Sequence, residues 1–244
     1  MHFMDDKSKI AGFISNHNII RPIGYPLIAV PFLAASTGVL YLIFYIELTN
    51  KHSIESISCI VGIIISIISF VFWMRLRKIY FRRFDVEPGK SMYAAEIWQY
   101  VGIIIQTFFL NVYVASWEER LINVIISITF ILVAIALTII ATIKVVKNRI
   151  KKGVYLKNKE SGRKTMMYLS SGVCVVIIMG IKAITVHGSV TYDFFAYFSM
   201  LLLISEISTV LAVEYCLKLK YAKEYGLEEY LPTRPYPSKY TGWK

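Results

Sequence analysis

Two stretches of the chain, residues 56–74 and 121–143, run without a single charged side chain. About 20 consecutive apolar residues is the length of a helix that crosses the hydrocarbon of a bilayer, whereas a helix on a soluble protein needs a polar face. Four further stretches, 26–47, 95–117, 167–186 and 194–216, are nearly as apolar. The reading is an all-α polytopic membrane protein with six transmembrane helices arranged as three helical hairpins. A membrane barrel does not fit, because the runs are too long for strands and do not alternate. Composition agrees: 56% of residues are hydrophobic and only 18% charged, with mean hydropathy +0.56. A soluble domain carries about a quarter charged residues. A soluble enzyme, a disordered chain and a disulfide scaffold are all disfavoured. The first run is too long and starts too late for a cleaved signal. Pro22 and Pro26 suit a helix start, and Pro31 is expected to kink the first span.

Charge sets the expected direction. Of 27 Lys and Arg residues, all but Lys51, Arg120 and Lys182 fall in the N-terminal segment, in the second and fourth connections, or in the tail. Cationic loops stay on the cytoplasmic side. The expectation is N-in/C-in, in the plasma membrane, with a cytoplasmic segment 1–25, a transmembrane domain 26–216 and a basic, aromatic cytoplasmic tail 217–244. The connections on the other side are short, and nothing there is large enough to fold alone. The net charge of +11 is thereby explained without a nucleic-acid partner.

Catalytic and metal-binding patterns are absent from the sequence. Cys59, Cys174 and Cys216 fall in different spans with no C-x-x-C, so neither a redox pair nor a metal site is indicated. His2, His17, His52 and His187 are scattered, and none has the two further ligands a metal needs. Glu118-Glu119-Arg120 reads as a solvated turn rather than an acid pair. No cofactor and no metal is expected.

Polar groups inside the spans are the functional candidates, because charge in hydrocarbon is costly. Glu206 lies near the centre of the sixth span beside Ser205, Ser208 and Thr209; Lys182 lies in the fifth; Gln106 and Asn111 lie in the third. Glu47, Glu96 and Glu214 sit near span ends, where water is expected to reach them. Ser58, Gly62, Ser66 and Ser69 place small groups on one face of the second span, a helix-packing signal. Arg75, Arg77, Lys78, Arg82 and Arg83 alternate with aromatics at a span exit, a pattern suited to anionic lipid headgroups. Asp85–Lys90 reads as a turn. Leu217, Tyr221 and Tyr225 fall four apart as on an interfacial helix that Gly226 ends. The prolines after Leu231 imply an extended tail.

Two function classes follow. The first is a non-enzymatic membrane protein acting through another membrane protein or itself: an accessory subunit of a secretion or transport complex, or an immunity protein against a membrane-active toxin. The second is a small transporter or channel component in which Glu206 is the intramembrane carboxylate.

Overall fold

The computed structural model describes residues 2–15, 29–48, 53–83, 88–117, 121–157 and 189–231. Among these the regular elements are all helical: α1 (His2–Ser15), α2 (Ala29–Glu47), α3 (Ile54–Arg83), α4 (Pro88–Ser116), α5 (Leu121–Lys151), the single turn α6 (Val154–Lys157), α7 (Ser189–Tyr225) and a 3-10 turn at Glu228–Tyr230. Five helices contain segments long and apolar enough to cross a membrane: Val30–Glu47, Ile54–Leu76, Tyr93–Ser116, Leu121–Lys151 and Tyr197–Tyr225. The expected span at 167–186, with Lys182 and Cys174, lies outside the described residues, as does the proline-rich tail.

The distribution of polarity is the reverse of a soluble core. Phe32 is 75% exposed and Leu121 62%, along with much of the apolar surface of α2, α3 and α5. Glu96, Gln106, Asn111, Ser205 and Lys218 are buried. Lipid tails solvate an apolar exterior, while polar groups have to find partners inside. This is a helical membrane protein.

Several helices run past the expected span ends. α3 continues to Arg83, α5 to Lys151 and α7 to Tyr225, so much of the basic sequence expected in connections is helical. Lys and Arg are good helix formers, and cations at a helix C-terminus complement its dipole. The expected turn at Asp85–Lys90 is partly corrected: Pro88, Gly89 and Lys90 form the first turn of α4, where proline lacks only an N–H that the helix leaves free. Likewise Pro31 falls in the first turn of α2, a position that interrupts no interior helical bond. α7 ends as Gly226 turns left-handed (φ +63°) and the Leu227 N–H donates to the Ala222 carbonyl at 2.9 Å. That six-to-one bond is a Schellman stop, which favours glycine.

α4 is the central helix and touches α2, α3, α5 and α7. Its main partner is α7, not the sequence-adjacent α5. The two are antiparallel: Tyr93 and Tyr100 of α4 lie against Tyr215 near the end of α7, while Trp117 meets Tyr197 near its start, centroids 5.9 Å apart. At the Tyr215 end also lie the start of α2 and the C-terminal part of α3, where Val30 and Trp73 pack with Ala95. This end gathers the basic helix termini. The opposite end carries an aromatic cluster in which Tyr113 touches Tyr41, Phe44 and Trp117, and donates to Glu55 Oε1 at 3.1 Å.

α2 and α3 pack tightly because α3 offers small groups. A Cβ at Gly62 would lie 2.6 Å from the buried Tyr41 ring. Gly62→Ala is therefore expected to lower stability by about 1–3 kcal/mol, the usual cost of overpacking. Thermal unfolding in mild detergent checks this, with the half-buried Ser58→Ala expected to be near neutral.

Candidate functional site

Among the described residues three polar features are built into the bundle: a caged lysine at the basic end, a line of buried polar side chains along the α4–α7 seam, and a hydroxyl–amide junction where α2, α3 and α4 meet.

The cage begins with a helical spacing. Glu214 and Lys218 are four residues apart on α7, so their side chains meet on one face; Glu214 Oε1 and Lys218 Nζ are 3.2 Å apart. The Lys218 side chain is 1% exposed and that of Glu214 8%. Three rings surround the ammonium: Phe13, Tyr93 and Tyr215, with centroids 5.5, 5.7 and 5.3 Å from Nζ. An ammonium facing aromatic rings gains cation–π attraction, and most where water is excluded. Glu214 supplies the countercharge that makes the burial of Lys218 tenable.

Phe13 is brought in by α1. Ile10, Ala11, Phe13 and Ile14 are buried, whereas Asp6, Lys7 and Ser8 are exposed, so α1 lies as an amphipathic cap over the end of the bundle. The Tyr93 hydroxyl donates to the Ile14 carbonyl at 2.9 Å. That carbonyl belongs to the last turn of α1, where no helical partner is available. Phe13 also packs on Tyr155, ring centroids 4.9 Å apart. Tyr155 lies beyond the spans in α6. Burial, aided by the Glu214 charge and opposed by Arg149, pushes its hydroxyl up to about 12, so it stays neutral at physiological pH.

The α4 side of the seam carries Tyr93, Tyr100, Thr107 and Asn111 at spacings of seven, seven and four, one stripe of a helix. Glu96 falls between the two tyrosines. α7 buries Ser205, Ser208, Thr209, Ala212 and Tyr215. Thr107 and Thr209 return their hydroxyl protons to carbonyls one turn back. Among the described residues, both amide atoms of Asn111, the Ser205 hydroxyl and both Glu96 oxygens find no hydrogen-bond partner.

On the other side of α4, Thr37 Oγ1 lies 3.0 Å from Gln106 Oε1 and 3.2 Å from Ser66 Oγ, joining α2, α3 and α4. The structure thus brings Gln106 and Ser66 together through Thr37, a residue that sequence reasoning did not single out. Asn111 is fully buried on the seam stripe. Glu206 is half-buried, while its neighbours Ser205, Ser208 and Thr209 are buried. Of the small-residue set, Gly62 and Ser66 face α2, Ser69 is buried and Ser58 is half-buried. Arg75 and Lys78 are exposed at the basic end; Arg77, Arg82 and Arg83 share the same terminal turns of α3.

Glu96 and Glu214 correct an expectation. Both were expected within reach of water at span ends, yet both are buried; Glu214 lies in the Lys218 cage that Phe13 of α1 helps to close. The available signals were the Glu214–Lys218 spacing and the apolar face of residues 10–14. Among the described residues, no group of three His, Cys, Asp or Glu is placed to hold a metal. Compared with known proteins, the chain matches no family model, no curated protein and no solved structure.

Removing one partner of a buried ion pair strands the other. Lys218→Met is therefore expected to cost about 3–5 kcal/mol, and Lys218→Met with Glu214→Gln to recover most of the loss. A double-mutant cycle on detergent-solubilised protein measures the coupling; additive losses would show the two side chains to be uncoupled.

Proposed function

We propose that the protein is a six-crossing plasma-membrane protein, both termini cytoplasmic, that works without catalysis by binding another membrane protein or a second copy of itself. An accessory subunit of a secretion or transport complex and an immunity protein against a membrane-active toxin are the two forms considered. The observation that carries this reading is the folded cap at the basic end. α1, α6 and the 3-10 turn close over the end of α7, and exposed charges there, Asp6 and Lys7 of α1, Lys152 of the α5–α6 turn, Lys223 of α7 and Glu229 of the 3-10 turn, offer a shaped surface outside the hydrocarbon. Cationic headgroup-facing residues such as Arg75 and Lys78 suit anionic lipid around that surface.

Six crossings find support in the positions of the described ends. α6 lies at the basic end, through the contact of Tyr155 with Phe13, whereas α7 starts at the opposite end near Trp117. A chain that leaves at one end and resumes at the other calls for a crossing between them, and the apolar stretch 167–186 has the composition for it. The basic end is assigned to the cytoplasm by the excess of Lys and Arg there. In a chain whose native cysteines are replaced, impermeant thiol reagents added outside should modify probes at Ser53 or Glu119 but not at Gly89 or Ser161. Outside labelling at Gly89 reverses the orientation.

The transporter reading has one specific observation in its favour: Glu206 sits on α7 at the level of the unpaired Asn111 and Ser205. Glu206→Gln separates the readings. The amide keeps the shape and hydrogen-bonding capacity but never ionises. Under the interaction reading the Gln variant stays folded, restores the phenotype of a strain lacking the gene, and keeps any photocrosslink formed from Lys7, Lys152 or Lys223. A stable, abundant but inactive Gln protein favours the transporter. Glu206→Leu serves as the stability control.

A further inference from the structure

Of the buried ionisable groups at the basic end, Glu214 is matched by Lys218, and Glu96 is not matched. Glu96 is 0% exposed and, among the described residues, neither carboxyl oxygen finds a hydrogen-bond partner. On α4 it stands three residues after Tyr93 and four before Tyr100, the tyrosines whose rings rest on Tyr215 of α7. Tyr100 and Tyr215 both lie within its electrostatic reach. The charged groups described at the same end include Glu214 and Lys218 of α7, and Arg149 of α5, which is bound to Tyr155 of α6. None of these cations bonds to Glu96. α1, fastened by Phe13 and by the Tyr93–Ile14 hydrogen bond, closes over the adjoining Lys218 cage.

A carboxylate taken out of water with no partner costs many kcal/mol, and the burial becomes tenable when a positive charge sits on it. The carboxyl oxygens of Glu96 are hard ligands for a small monovalent cation. We propose that Glu96 is the acidic centre of a monovalent-cation site on the α4–α7 seam, occupied by a proton or an alkali-metal ion. The site is independent of the interaction reading above and of Glu206.

The test uses the full-length protein in mild detergent. N,N′-Dicyclohexylcarbodiimide enters apolar sites and reacts with protonated carboxyl groups, and peptide mass spectrometry reads the modification at Glu96. It is applied at acidic and alkaline pH, in sodium, potassium or choline chloride at equal ionic strength. In parallel, thermal midpoints of wild type and Glu96→Gln are recorded under the same conditions. The expected result is modification of Glu96. For a proton site its rate falls about tenfold per pH unit on the alkaline side, whatever the salt. For an alkali-metal site, sodium or potassium slows it at fixed pH where choline does not. If the reagent fails to reach Glu96, the thermal data decide: a pH or cation dependence present in wild type and lost in Glu96→Gln supports the site. Modification indifferent to pH and to cation, or no modification together with identical dependences in wild type and Glu96→Gln, overturns the proposal.

Discussion

In hydrocarbon the apolar effect no longer drives helices together, because lipid tails are as apolar as the side chains they replace. Association then rests on close packing and on polar groups that have nowhere else to go. Here that burden falls on the α4–α7 seam. α4 meets four of the other helices, and the tyrosine stack of Tyr93, Tyr100 and Tyr215 fixes its register against α7. The caged ammonium of Lys218 sits at the end of that stack, and α1 is positioned by what the seam presents to it. Loosening this seam would expose the polar groups along it before it disturbed the α2–α3 pair, which has its own contacts through Gly62 and Ser66.

Interactions of two kinds hold the bundle. The α2–α3–α4 side uses small groups and a neutral hydroxyl–amide junction at Thr37, Ser66 and Gln106. Neutral junctions of this kind contribute modestly, typically under about 2 kcal/mol in membrane proteins. The basic end uses charge and aromatic faces. Charge is far less forgiving of a missing partner than an amide is. The fold therefore tolerates small losses in its middle and is sensitive at one end.

Much of the architecture was legible in sequence because one physical rule dominates: a long apolar run has to be a lipid-facing helix. That rule located five of the spanning segments to within a turn or so at most ends, and the glycine stop at Gly226 followed from the end of the Leu217–Tyr221–Tyr225 spacing. Tertiary placement was not legible. Nothing in the run around Glu96 announces that it will be fully buried, and hydropathy reads the Lys-rich end of α7 as tail, although Lys218 is among the most buried side chains. The pairing of α4 with α7 was hidden for the same reason: it depends on which stripes complement each other across about 110 residues of sequence. Residues 10–14, with their apolar i, i+3, i+4 pattern, were the missed clue.

The Schellman turn after α7 has a consequence for the order in which the molecule is made. By reversing the chain at Gly226 it returns Leu227 and Leu231 to the cluster that holds Ile10, Ala11 and Ile14 of α1, and places Glu228 2.6 Å from Lys90 at the start of α4. A helix synthesised before the spans thus docks against residues synthesised after α7. While the ribosome is still translating the spans, α1 has an apolar face and no receptor for it. That face belongs meanwhile in the lipid interface or with a chaperone. Closure of the whole cap therefore waits until Leu231 has been made.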